Sequence, residues 1–183
     1  MKTILVLGVI ALIALFVVAQ YNRLIRLNIQ ASEALAQIEV QLKRRADLIP
    51  NLVETVKGYA KHEQSTFDAV VTARAKATSA TTISDIAAAD GALTQALRGL
   101  LAVAEAYPDL KASSNFLSLQ EELSTTENKV AFARQFYNDT VRSLNTAVKT
   151  IPTSFFAGFA KVSEREFYEV EDPQDRNVPK VSF

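Results

Sequence analysis

His62 and Glu63 begin the sequence HEQST, the first half of the HExxH pattern. In that pattern two histidines one helical turn apart hold zinc and the glutamate acts as the base. The second histidine is absent, because position 66 is Thr, and His62 is the only histidine in the chain. A catalytic zinc takes three protein ligands, so carboxylates would have to supply the others. Helix bundles also hold paired iron through Glu-x-x-His, but Tyr59 stands where that Glu belongs. His62 therefore reads as a surface residue, and no metal is expected. Nucleophilic hydrolysis fares no better. The chain has no cysteine and no Gly-x-Ser-x-Gly elbow, and a single histidine leaves few ways to activate its serines. No glycine-rich phosphate loop is present. Glu121 and Glu122 are neighbours on a helix and diverge by about 100°, which suits a solvated face better than an acid/base pair. No catalytic residue, cofactor or small-molecule substrate is expected.

The basic triplet Lys43-Arg44-Arg45 is the other conspicuous group. It also fans out in steps of about 100°, so it cannot form one flat anion site. Glu39 lies four residues before Lys43 and Asp47 four after, the spacing of ordinary surface ion pairs. Lipid phosphates are out of reach, since the triplet begins about 30 Å of helix beyond Arg23, several Debye lengths away. The triplet reads as a solubilising face or a partner contact.

The elements that carry these residues are helical. The chain has 183 residues, 49% of them apolar, with only five Gly, five Pro and no Trp. That composition, short of turn formers, favours an all-α domain. The 20 basic and 20 acidic residues cancel, so no net field favours nucleic acid. The first feature is a membrane span. From Ile4 to Ala19 no residue is polar, and no charge falls between Lys2 and Arg23. About 20 uncharged residues cross roughly 30 Å of hydrocarbon. The competing reading is a cleaved signal peptide, with Val17 and Ala19 as the small residues at its end. A helical pattern follows Gln20 without a break, which favours a retained anchor over residues 1–22. Lys2 and the amino terminus balance Arg23 and Arg26, so the positive-inside rule leaves the orientation undetermined.

From Tyr21 to about Thr78 apolar residues recur at intervals of three and four, which predicts one long amphipathic helix. Pro50 lies inside it. Either the helix continues with a kink, the Ala46 carbonyl losing its donor, or it breaks with Asp47 as N-cap. A second helix is expected over Ile83–Ala106, ended by Tyr107-Pro108. A third is expected over Ser114–Thr150, capped by Ser114 or Asn115 and stopped by Pro152. A short apolar helix and an extended segment or strand follow. The arrangement expected is an elongated antiparallel bundle of long helices over residues 23–170, with a flexible tail over 171–183.

Three stretches resemble the LemA family of bacterial membrane-anchored helical proteins. They are QLKRRADLIPNLVETVKGYAKHE with the following ARAKA, then YPDLKASSNFLSLQEELSTTENKVAFARQFYND, and the closing AGF…EREFYEV. The family commonly has Asn where Ser113 stands in KASSNF. The resemblance implies a single-pass anchor in the bacterial inner membrane with a soluble all-helical bundle, and no established activity, catalytic residue or cofactor. It also implies a gene neighbourhood with a heat-shock membrane zinc protease of the HtpX type. An accessory or substrate-presenting role beside such a protease, in envelope quality control, is the alternative to the scaffold or adaptor reading preferred here.

Length arithmetic adds two expectations. If the first helix runs outward about 80 Å, the second returns about 35 Å and the third goes out about 55 Å, the membrane-proximal stripe lacks cover. Leu24, Leu27, Leu35, Ile38 and Leu42 would then meet copies of themselves in a coiled-coil-like homo-oligomer. Phe155, Phe156 and Phe159 would stand at the distal tip, either closing the core or forming a contact surface for a membrane-protein partner.

Overall fold

A computed structural model describes residues 1–169. The residues of the expected C-terminal tail lie outside them. Every regular element in the described chain is a helix: α1 Lys2–Lys57, α2 Gln64–Ser79, α3 Ile83–Glu105, α4 Pro108–Lys111, α5 Ser114–Lys149 and α6 Ser154–Ala160. The fold is all-α, as the composition implied. Residues 162–169 form no regular element, so the possible strand is not one. α3 and α5 match the expected limits to within one residue. α3 begins on a well-made cap, in which the Thr82 hydroxyl accepts from the Asp85 N–H at 3.1 Å. α5 starts at Ser114, so both expected caps fall within its first turn and Ser113 precedes it.

The described residues form two compact units, residues 1–37 with 133–167, and residues 38–132 with 168–169. α1 and α5 each contribute to both.

In the unit built on residues 38–132, α1 runs through Pro50 without a break. The Ala46 carbonyl, deprived of an N–H by Pro50, accepts instead from Arg74 Nε of α2 at 2.8 Å. The single helix expected to reach Thr78 is, however, two. α1 ends at Lys57, and residues 58–63 turn the chain back into α2. Gly58 costs a helix about 1 kcal/mol relative to Ala. Beyond it the Ala60 N–H closes on Val56 O at 2.9 Å. Lys57 then sits 5.7 Å from the Phe67 ring centre while Arg74 reaches Ala46, so α2 runs antiparallel to α1. Phe67, Val70 and Ala73 join Ile49, Leu52, Val53 and Val56 of α1 and Leu93, Leu97 and Leu100 of α3 in one core. The fold-back buries the stripe that one straight helix would leave open, at about 25 cal/mol per Å² of apolar surface.

In the other unit, residues 133–149 of α5 accompany the first part of α1. Leu24, Ala31 and Ala34 of α1 are buried, as are Ala133, Tyr137, Val141, Leu144 and Ala147 of α5. The segment after α6 is held by side chains. The Asn145 amide donates to the Arg165 carbonyl and accepts from the Arg165 N–H, both at 2.9 Å, the pairing a neighbouring strand would offer. The Arg165 guanidinium reaches Asn28 Oδ1 at 2.9 Å and Ser32 Oγ at 2.7 Å.

Candidate functional site

The basic triplet separates around α1 as its spacing requires. Lys43 pairs with Asp47 at 2.9 Å in the open, and Arg44 is exposed. Arg45 is not on the surface: only 3% of it is accessible. Its Nη1 donates to Asp90 Oδ1 at 2.8 Å and to Thr94 Oγ1 at 2.9 Å, and its Nη2 pairs with Glu127. Tyr168 OH donates to the other Asp90 oxygen at 2.9 Å. A buried charge is tolerated when paired and hydrogen-bonded, and this cluster does both. It joins α1, α3, α5 and the segment after α6 within one unit. The reading of all three basic residues as a solvated or partner-facing group is corrected for Arg45. The signal was in the spacing. Arg45 lies seven residues after Ile38 and seven before Leu52, both buried, and Asp90 lies between Ile86 and Leu93 on the apolar stripe of α3. One base and one acid on facing apolar stripes mark an internal ion pair.

His62 is exposed in the turn between α1 and α2, and Glu121 and Glu122 are both exposed on α5. Among the described residues no three His, Asp or Glu side chains come together as a metal cluster would need. An open groove of about 700 Å³ lies between α2 and α3, lined by Thr72, Ala73, Lys76, Ala92, Ala96 and Gly99 among others. Short side chains on facing positions of the two helices make this groove.

The apolar stripe is covered in part by its own chain. Leu24 and Ile38 are fully buried, and Leu27, Leu35 and Leu42 are half-buried. For Leu24, Leu27 and Leu35 the premise of an uncovered stripe fails because residues 133–149 of α5 share a compact unit with that part of α1, where the length arithmetic had α5 leading away from it. The same fact relocates the three phenylalanines. They are not at a tip remote from the start of α1: Phe156 and Phe159 line a cleft of about 360 Å³ with Val17, Val18 and Tyr21, at the end of the apolar run of that helix. Thr153, just before α6, donates to Gln20 Oε1 at 3.1 Å. Phe155 and Phe159 are largely exposed, while Ala157 and Ala160 of α6 are buried. In the same unit Tyr137 OH donates to the Glu166 carbonyl at 2.8 Å. Burial raises the Tyr137 pKa above its usual 10.0; Arg165 opposes the rise and Glu166 adds to it.

α1 and α3 are both long and apolar enough to cross a membrane. Their surroundings separate them. The most apolar stretch of α1 buries nothing within the protein, whereas α3 carries Leu93, Leu97 and Leu100 into the core. α3 is a core helix.

Comparison with known proteins agrees with this picture. The model of the LemA family matches residues 34–183. Among curated relatives, magnetosome protein MamQ 2 of Paramagnetospirillum magneticum is 23% identical, the match covering 97% of this chain and 75% of that protein. Magnetosome protein MamQ of Magnetospirillum gryphiswaldense is 24% identical over the same shares. Protein LemA of Metamycoplasma hominis is 26% identical, covering 87% of this chain and 77% of that one. With the bare apolar start of α1, these likenesses describe a membrane-associated helical protein.

Proposed function

Because the chain belongs to the LemA family, we propose that it is a non-enzymatic adaptor of the bacterial inner membrane, held by α1 as a single-pass anchor and meeting other membrane or envelope proteins through its helical surfaces. The observation that carries this reading is the use made of the buried charge. Arg45, Asp90 and Tyr168 are turned toward one another and join helices to one another. An active site would instead aim such groups into a cavity where a substrate can reach them. Self-assembly through Leu24, Leu27, Leu35, Ile38 and Leu42 loses much of its reason once the chain covers that stripe in part, so the weight moves from scaffold to adaptor.

The test is co-purification of the full chain from native membranes in mild detergent, followed by quantitative mass spectrometry. Recovery of defined membrane or envelope proteins in constant ratio to the bait is the expected result. Recovery of a membrane protease alone, with its cleavage rate changed when the chain is deleted, would replace the adaptor by the protease-accessory role. A chain that runs alone in both detergent and membranes would overturn the reading.

A further inference from the structure

Among the described residues, one side of the α6 region is left largely uncovered, and its composition says what kind of partner it suits. Ile151, Phe155 and Phe159 follow one another at intervals of four, with accessibilities of 75%, 68% and 85%. The opposite side of α6 is fixed to the protein through buried Ala157 and Ala160. No acidic residue occurs between Asp139 and Glu164, and the charges of residues 149–163 are Lys149 and Lys161. Phe156 and Phe159 share their cleft with Val17 and Val18, which belong to the uncharged span. These two valines precede Arg23 by five and six residues, so they lie about 8 Å below its level along the helix.

We propose that α6 is a second membrane contact: Ile151, Phe155 and Phe159, backed by Phe156, enter the same leaflet as the end of the anchor, with Lys161 and Arg23 at the headgroups. The proposal rests on the anchor reading above and adds a surface to it. Lipid is the occupant favoured, because the patch is continuous with a helix stretch of which no residue is buried within the protein. Phenylalanine side chains with adjacent cations suit the interface, where amphipathic helices sink about 5–10 Å. The Thr153 to Gln20 hydrogen bond places the start of α6 against α1 at that depth.

The chain has no tryptophan, so single reporters are clean. Full-length Phe159→Trp and Leu12→Trp proteins are reconstituted separately into phosphatidylcholine–phosphatidylglycerol vesicles whose acyl chains carry bromine at shallow or deep positions. Both replaced side chains are exposed, so neither substitution disturbs the core. Phe159→Trp should emit to the blue of a water-exposed indole and lose most of its emission to shallow bromine, while Leu12→Trp is quenched by deep bromine. Deep quenching of Leu12→Trp with water-like, unquenched Phe159→Trp would overturn the α6 contact and leave the anchor standing. Blue-shifted but unquenched Phe159→Trp would overturn it too, in favour of a protein covering the patch. An unquenched Leu12→Trp would remove the anchor and this contact together.

Discussion

Arg74 Nε lies 2.8 Å from the carbonyl oxygen of Ala46, the acceptor that Pro50 leaves without an N–H. A proline inside a helix costs about 3 kcal/mol, partly because that acceptor goes unsatisfied. Here a side chain from the next helix supplies the missing donor, and the bond also sets the register of α2 on α1.

Arg74→Ala should therefore destabilise the protein by about 1–3 kcal/mol, the range for an orphaned buried acceptor. The same substitution in a Pro50→Ala background should cost much less, since the Ala46 carbonyl regains its helical donor. Thermal unfolding by circular dichroism in mild detergent measures both. Equal costs in the two backgrounds would show that Arg74 acts through something other than this carbonyl.

Removing Arg45 alone takes from the interior the cation that pairs with Asp90. Arg45→Met should cost about 3–5 kcal/mol, whereas Arg45→Met with Asp90→Leu should recover most of it because no unpaired charge remains. Arg45→Lys should not restore full stability, since an ammonium cannot hold Asp90, Thr94 and Glu127 in the geometry of the planar guanidinium. Denaturant titrations of the three variants decide this.

Tyr137 makes stability sensitive to alkali. Its folded pKa is raised, chiefly by burial, above the ordinary 10.0. The unfolded chain therefore ionises first, and the stability Tyr137 contributes is whole below pH 10 and is lost as the pH rises through its folded value. The fall in melting temperature between pH 9 and 11 should be steeper for the natural protein than for Tyr137→Phe, against the shared background of lysine titration.

Single cysteines test the cover over the proximal stripe. Maleimide labelling in mild detergent should be at least about tenfold slower at positions 24 and 38 than at 29 and 40, because the first pair needs local opening. Equal rates would mean that the stripe is open after all.

Much of this fold can be read without a structure, and the misses have physical causes. α3 is legible from its apolar spacing and from Tyr107-Pro108, which ends it. α5 is legible from its stripe of buried residues. The turn at 58–63 was missed because a helix folded back on its neighbour presents the same spacing to the core as one that continues. The clue was the run Lys61–Thr66, six polar residues with no apolar member. Arg45 was missed because three basic letters in a row look alike until their phase around the helix is compared with Ile38 and Leu52. The place of Phe155, Phe156 and Phe159 was missed because helix length says how far a chain travels and nothing about which neighbour it follows.

The pairing of Asn28 with Arg165 spans 137 residues of sequence. A ribosome adds about 5–20 residues per second, so the side chains that cover the start of α1 are made on the order of ten seconds or more after it. Through that interval Leu24 has none of its late-made cover from α5. A nascent chain cut short before α5 is finished would keep that surface open for good. Premature termination should thus yield a membrane-bound product that chaperones and proteases can tell from the finished protein.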